Sequence, residues 1–198
     1  KWDDLKLFIH YGLLSQEDFY DKAHKFALLK NVEGDYFTYE EYKELIKGEQ
    51  TDKDKKVVFL YATDVEGQYS FIESAKAKGY DVLLMDCHLD SHFVQLLESK
   101  IENSRFARVD SDTIDNLIAK EDKSKPELSD EQKEEISTLF KSALPTDAEF
   151  SIQPENLGEH AAPIIITQSE FMRRYREMSA LGGGMNFYGE MPAVYNVV

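Results

Sequence analysis

Apolar residues change their spacing several times along the chain, and these changes predict its elements. Within residues 1–50 they recur mainly at helical spacing, and Thr38 and Glu41 have capping-box spacing before "YEEYKELIKG". Ser15 is a further possible helix cap, ahead of "EDFYDKAHKFA". Gly34 breaks the pattern between the two helical stretches. We therefore expect residues 1–50 to form a helical connector.

The middle of the chain alternates continuous apolar runs with helical patterns. The runs are "VVFLYA" (57–62), "YDVLLMD" (80–86) and "SRFARVD" (104–110), and a helical pattern follows each of the first two. Short continuous runs between turn signals are typical of strands buried on both faces. Strands alternating with helices at this spacing predict parallel crossovers. We expect residues 51–119 to form a small three-layer βαβ module.

The last part of the chain mixes helical and strand patterns. Residues 120–129 are polar and charged and contain Pro126, which is typical of a linker. Ser129 and Gln132 have capping-box spacing ahead of a helical pattern. "EFSIQP", "APIIIT" and "AVYNVV" have the composition of short strands. The predicted fold class is therefore α/β followed by an α+β domain over residues 130–198.

One apolar stripe near residue 170 has two interpretations. Thr167 and Glu170 have capping-box spacing, and a triple glycine at 182–184 follows the helical pattern. The apolar face of this predicted helix carries Phe171, Met172, Tyr175 and Met178. Such a stripe usually faces a core. Methionine and tyrosine also suit surfaces that adapt to many partners, so both interpretations stay open.

Composition and charge narrow the class of protein. The chain has 198 residues, of which 42% are hydrophobic, and its net charge is −15. This hydrophobic content supports a core, while the negative charge disfavours binding to nucleic acid. No apolar run is long enough to span a membrane. The single cysteine, Cys87, fits a reducing compartment, so we expect a cytoplasmic protein without nucleic-acid or membrane partners.

Candidate chemistry lies in the loops after the first two apolar runs, where open α/β sheets collect ligands. "TDVEGQ" (63–68) lacks the glycines and the lysine of a phosphate loop. "DCHLDSH" (86–92) contains Asp86, Cys87, His88, Asp90 and His92. Zinc needs three or four converging ligands, and the two histidines lie on either side of a loop-to-helix boundary. We therefore expect no metal, no catalytic residue and no cofactor in this chain.

Longer stretches carry a family resemblance. "YGLLSQEDFYDKAHKFALLKN", "YFTYEEYKELIK", "YSFIESAKAKGYDVLLMD" and "SRFARVDSDTIDNLI" follow one another in an order that resembles the ninety-kilodalton heat-shock chaperones, most closely the bacterial ones. The resemblance runs from end to end. It implies that residues 1–119 are the later part of a middle domain. It also implies that residues 130–198 are the first part of a C-terminal dimerisation domain, truncated here.

The resemblance also implies functional properties. Members of this family are homodimeric chaperones that use ATP and magnesium. The nucleotide site and most of the dimer interface would lie outside this chain, so we expect it neither to bind ATP nor to dimerise tightly. The helix with Phe171, Met172, Tyr175 and Met178 would contact unfolded clients. A second client patch falls at "LDSHFVQLL", where a related bacterial chaperone has tryptophan and this sequence has His92, beside the apolar Phe93.

Three functional hypotheses follow. The leading one is a client-binding and interdomain-coupling portion of an ATP-dependent chaperone that assists protein folding. The alternative is a stand-alone α/β domain that binds metal or performs catalysis through residues 86–92. A third hypothesis is a structural spacer that contacts no client.

Overall fold

A computed structural model describes residues 1–120, 128–144, 149–157, 162–171, 173–174 and 194–198. The chain forms two compact units. The first comprises Lys1–Val109 and Leu117–Ala119, and the second comprises Asp110–Asn116 and Lys120–Val198. The backbone therefore passes from one unit to the other three times. Most of the predicted linker 120–129 and the triple glycine at 182–184 lie outside the described residues.

The first unit contains five helices and five strands among its described residues. In chain order they are α1 (Trp2–Ser15), α2 (Glu17–Ala23), β1 (Leu28–Lys30), β2 (Tyr36–Thr38), α3 (Tyr39–Ile46), β3 (Val57–Ala62), α4 (Tyr69–Ala77), β4 (Val82–Leu84), α5 (Asp90–Lys100) and β5 (Ser104–Arg108). Strands β4, β3 and β5 form a wholly parallel sheet in that order. The predicted parallel βαβ arrangement is confirmed.

Strand β3 lies at the centre of the core. All six of its residues are buried, as expected for a strand covered on both faces. The ring of Phe59 packs between those of Phe106 and Tyr42, with centroid distances of 4.6 and 5.7 Å. Leu13 of α1 and Ile46 of α3 belong to the same cluster. Residues 1–50 and the parallel sheet therefore share one hydrophobic core.

Residues 1–50 are not wholly helical, contrary to the prediction. Helix α2 ends at Ala23, and β1 and β2 pair as an antiparallel hairpin with Leu29 opposite Phe37. Gly34 has a φ of +93° in the turn, a conformation that glycine adopts without strain. Asn31 stabilises the turn by accepting a hydrogen bond from the backbone N–H of Asp35 at 2.8 Å. These turn residues override the helical spacing of the apolar positions around them.

Two of the predicted helix caps in this part of the chain have different outcomes. Thr38 and Glu41 form the predicted capping box at the start of α3. Ser15 does not cap α2, because its hydroxyl donates to the carbonyl of Tyr11 at 2.7 Å. Helix α2 instead begins after Gln16 without a side-chain cap. The side chain of Ser15 is thus hydrogen-bonded within α1 rather than to the start of α2.

The second unit contains a mixed three-stranded sheet. Its described elements are α7 (Asp130–Ala143), β6 (Glu149–Ile152), β7 (Ile166–Gln168) and β8 (Val194–Val197), while α6 (Ile114–Leu117) lies where the chain passes between units. Strand β8 lies between β6, to which it is parallel, and β7, to which it is antiparallel. The predicted capping box of Ser129 and Gln132 is present at the start of α7. Among the described residues, none of the helices combines the length and the hydrophobicity needed to span a bilayer.

Candidate functional site

The predicted client-binding helix is described at its first turn. The backbone N–H of Arg173 donates to the carbonyl of Ser169 at 3.1 Å, so the helical turn begins after Ser169. Thr167, predicted to be its cap, lies instead in β7 opposite Asn196 of β8. Strand pairing holds the backbone of Thr167 in an extended conformation and buries the residue. The prediction of a cap at Thr167 is therefore wrong.

Phe171 is the exposed apolar residue of this turn, with 75% of its surface accessible. Glu170 accepts hydrogen bonds from the guanidinium groups of Arg173, at 2.9 Å, and of Arg174. These arginines therefore pair within their own turn, and Arg173 is buried. Three further residues of the predicted stripe lie outside the described residues: Met172, Tyr175 and Met178.

The structure separates the side chains of the second candidate segment, residues 86–92. Asp86 is exposed and forms an ion pair with Lys6 of α1. His88 is exposed, and His92 is half-buried on α5. The polar residues of "DCHLDSH" therefore do not all converge on one point.

Phe93 does not belong to a surface that clients can reach. Its side chain is fully buried, and its ring stacks on the imidazole of His10 with a centroid distance of 3.8 Å. Helix α5 directs its buried face, which includes Val94 and Leu97, into the core of the first unit. This placement corrects the assignment of Phe93 as a client-binding residue.

Helix α1 brings a histidine to the segment that follows β4. His10 is 2% exposed, and its Nδ1 atom lies 3.4 Å from Oδ1 of Asp90, the first residue of α5. The potential ligand atoms of His10, Cys87 and Asp90 all lie within 4.8 Å of one another. His10 is not among the residues predicted from the sequence, because nothing local relates it to a segment almost eighty residues away. The available signal in the sequence is its helical spacing from the apolar Leu13, and the structure buries both residues.

The charge around this cluster comes from a neighbouring lysine. Burial by itself would lower the pKa of Lys6. The hydrogen bond to Asp86 and the nearby groups Asp90 and Cys87 have the opposite effect, and the net result is a raised pKa. Lys6 is therefore a cation beside the cluster. Its ion pair with Asp86 keeps the carboxylate of Asp86 engaged outside the group formed by His10, Cys87 and Asp90.

The loop after β3, the other candidate ligand loop, uses its own backbone N–H groups. Those of Glu66 and Gly67 donate to Oδ1 of Asp64, each at 3.1 Å. Those of Thr63 and Asp64 donate to the side-chain oxygen of Gln68 at 2.8 and 3.0 Å. These internal bonds occupy the donors that a phosphate would need.

The chain is similar to chaperones over its entire length. It is 55% identical over 200 residues to the chaperone protein HtpG of Bacteroides fragilis strain YCH46. It is 51% identical over 200 residues to HtpG of Porphyromonas gingivalis strain ATCC 33277. The chain matches bacterial HtpG chaperones from end to end. Each alignment covers 100% of this chain, which spans about 29% of the length of these HtpG relatives.

These similarities confirm the resemblance drawn from the sequence. The solved middle domain of a Plasmodium falciparum heat shock protein has 16% sequence identity and a TM-score of 0.41. That overlap covers 54% of this chain and 45% of the other, and it is too slight to indicate function. No family model matches the chain.

Proposed function

We propose that this chain is the client-binding and interdomain-coupling part of an ATP-dependent chaperone that assists protein folding. Its end-to-end similarity to proteins named HtpG chaperone supports the chaperone role. The observation that carries the client-binding role is the 75% exposure of Phe171 on the helical turn after β7. Burial of such a ring against a client would contribute about 1.5–3 kcal/mol.

The turn that holds Phe171 is anchored at its base. Gln168, the last residue of β7, pairs with Tyr195 of β8, and its N–H donates to the carbonyl of Asp110 at 3.0 Å. Glu170 pairs with two arginines one turn further along. The position of the Phe171 backbone is thereby fixed, while its ring stays accessible to a client. We propose that Met172, Tyr175 and Met178 extend the same face, as their spacing predicts.

The second proposed client contact is limited to His92. His92 is half-buried on α5, whereas the neighbouring Phe93 is enclosed by the core. A half-buried imidazole offers less apolar area than an exposed phenyl ring. We therefore assign the larger share of client affinity to the turn at Phe171.

Interdomain coupling is supported by the path of the backbone. Residues 110–116 belong to the second unit, whereas Leu117–Ala119 belong to the first. Within the first unit, the carbonyl of Ala119 accepts a hydrogen bond from the N–H of Lys53 at 2.7 Å. Within the second, Asp110 is bonded to Gln168, three residues before Phe171. A change in the first unit therefore has a short route to the client-binding turn, through the peptide bond between Val109 and Asp110 and the hydrogen bond from Gln168 to Asp110.

Under this proposal, the nucleotide chemistry belongs to the part of the parent protein outside this chain. The occupied N–H groups in the loop after β3 support that division. ATP, magnesium, the second copy of a homodimer and a cytoplasmic location are likewise proposed for the parent protein. The alternative of a stand-alone α/β domain that binds metal or performs catalysis through residues 86–92 has no support from these relatives, because they are named chaperones.

The proposal is tested by replacing Phe171 with serine. The probe is a reduced, carboxymethylated polypeptide that stays unfolded and carries a fluorescent label. Phe26→Ser is the matched control, because Phe26 is 76% exposed and lies in the first unit. We expect Phe171→Ser to weaken binding about ten-fold, equivalent to about 1.4 kcal/mol, and Phe26→Ser to leave it within two-fold.

Thermal unfolding of both variants completes this test. Because both rings are exposed, each replacement should leave the free energy of unfolding within about 0.5 kcal/mol of the original value. Equal affinity for the unfolded polypeptide in the original chain and in Phe171→Ser would contradict the proposed client contact.

A further inference from the structure

A group of three potential metal ligands lies between α1 and the start of α5 in the first unit. His10 supplies an imidazole, Cys87 a thiol and Asp90 a carboxylate, and their ligand atoms all lie within 4.8 Å of one another. The expectation of no metal rested on residues 86–92 alone and did not include His10; with His10 in place, we propose that His10, Cys87 and Asp90 bind a zinc ion. This site is independent of the proposed client-binding turn.

Several polar atoms of this group have no hydrogen-bond partner among the described residues. His10 is 2% exposed and Asp90 is 4% exposed. Within the described part of the chain, the two ring nitrogens of His10 form no hydrogen bond, and Oδ1 of Asp90 forms none either. An unpaired polar atom at such depth costs free energy. A cation between the two side chains would satisfy the carboxylate oxygen and one nitrogen of the imidazole.

The surroundings hold the ligands in place. The other carboxylate oxygen of Asp90, Oδ2, accepts a hydrogen bond from the backbone N–H of Cys87 at 2.8 Å. The imidazole of His10 stacks on the buried ring of Phe93 with an interplanar angle of 17°. Contacts of this kind orient metal ligands while leaving their coordinating atoms available. The turn that positions Asp90 therefore also positions the sulfur of Cys87 close to it.

The ligand types favour zinc over the hard divalent cations. Zinc binds thiolate, imidazole and carboxylate, whereas magnesium and calcium prefer sites made of oxygen ligands. A thiolate and a carboxylate also neutralise the two charges of the ion. Three protein ligands leave a fourth position for water, and the half-buried Cys87 gives that side access to solvent.

The site must contract slightly when it binds the ion. Zinc–ligand distances of about 2.0–2.3 Å in a tetrahedron place the ligand atoms about 3.3–3.7 Å apart. Nδ1 of His10 and Oδ1 of Asp90 are already 3.4 Å apart. Cys87 lies in the loop between β4 and α5, where rotation of its side chain can bring the sulfur closer by about 1 Å. The bound ion would then join α1 to this loop.

The first test is a zinc titration of the metal-free chain against a chromophoric chelator at neutral pH. We expect one zinc ion per chain, and at least ten-fold weaker binding in Cys87→Ser and in Asp90→Asn. Asp90→Asn keeps an oxygen that can accept the N–H of Cys87. His88→Ala is the matched control, because His88 is exposed in the same loop, and it should bind within two-fold of the original chain.

The second test needs no substitution. Cys87 is the only cysteine in the sequence, so alkylation by iodoacetamide reports on this thiol alone. Zinc should slow alkylation at least ten-fold, and cobalt should give the charge-transfer absorption of a thiolate ligand and the spectrum of a tetrahedral site. An unchanged alkylation rate at saturating zinc would overturn the proposal. Zinc binding that is lost equally in His88→Ala and Cys87→Ser would also overturn it.

Discussion

Two phenylalanines with similar positions in helical sequence patterns differ in burial. Phe93 and Phe171 both occupy apolar positions in helical patterns, yet Phe93 is 0% exposed and Phe171 is 75% exposed. Helical spacing identifies the face of a helix but does not reveal what covers it. The structure therefore places Phe93 in the core and Phe171 at the surface.

Gln50 is a buried polar residue whose side chain serves two backbone groups. Its Nε2 donates to the carbonyl of Val58 at 2.8 Å, and its Oε1 accepts from the N–H of Asp81 at 2.6 Å. Gln50→Leu removes both bonds at a position only 1% exposed. We expect the free energy of unfolding, measured by urea denaturation, to fall by about 2–4 kcal/mol.

The control for this substitution is Gln95→Leu. Gln95 lies on the exposed side of α5, so the same change in side chain should alter the free energy of unfolding by no more than about 0.5 kcal/mol. Similar losses in the two variants would mean that the hydrogen bonds of Gln50 contribute little.

At the scale of elements, the same capping signal has different outcomes at different positions in the chain. The same spacing of a hydroxyl residue and a Glu or Gln produces capping boxes at Thr38 and at Ser129. At Thr167 it does not, because the helical turn begins two residues later, after Ser169, while Thr167 lies in β7 opposite Asn196. Strand pairing alone does not decide the outcome, because Thr38 also pairs with Leu28 of β1 and still caps α3. The residue at which the helix begins decides it.

The capping box of α3 gives a direct prediction. The hydroxyl oxygen of Thr38 accepts the N–H of Glu41, and the carboxylate of Glu41 accepts the N–H of Thr38. Thr38→Ala should lower the free energy of unfolding by about 1 kcal/mol in urea denaturation. Thr138→Ala, at an exposed position inside α7, should be neutral or slightly stabilising. Equal losses in both would contradict a specific role for the cap.

An acidic residue connects α1 to the hairpin. Hydrogen bonds from Tyr36 and from Lys30 lower the pKa of Asp3. A carboxylate whose pKa is lower in the folded chain contributes stability above its unfolded pKa of about 3.9, and this contribution is lost as the pH falls through the folded pKa.

The test compares Asp3→Asn with the original chain in urea denaturation at several pH values. The original chain should be slightly more stable above about pH 5, and the difference should vanish by about pH 2. The effect should be small, because Asp3 is half exposed and its ion pair is screened by solvent. A difference that grows with acidification would contradict the assigned sign.

At the scale of the whole molecule, the elements that follow from local sequence patterns could be predicted. The contacts between residues far apart in the sequence could not. The apolar runs around Val57, Val82 and Ser104 predict three parallel strands, and the structure confirms them. Their order in the sheet depends on packing between elements, which no local pattern encodes. The meeting of His10 with Cys87 and Asp90 has the same origin, because it requires α1 to lie against α5.

We propose that unfolded clients contact this chain at the turn after β7. Photocrosslinking tests this contact, with a photoreactive phenylalanine analogue placed at position 171 in one variant and at position 26 in another. Both positions hold exposed phenylalanines, so the probe has similar access to solvent in each. Each variant is irradiated with the labelled unfolded polypeptide, with and without an excess of unlabelled polypeptide. We expect at least five-fold more crosslinked product from position 171 than from position 26, and the excess of unlabelled polypeptide should abolish that difference. Equal yields from the two positions, or a yield at 171 that the competitor leaves unchanged, would contradict it.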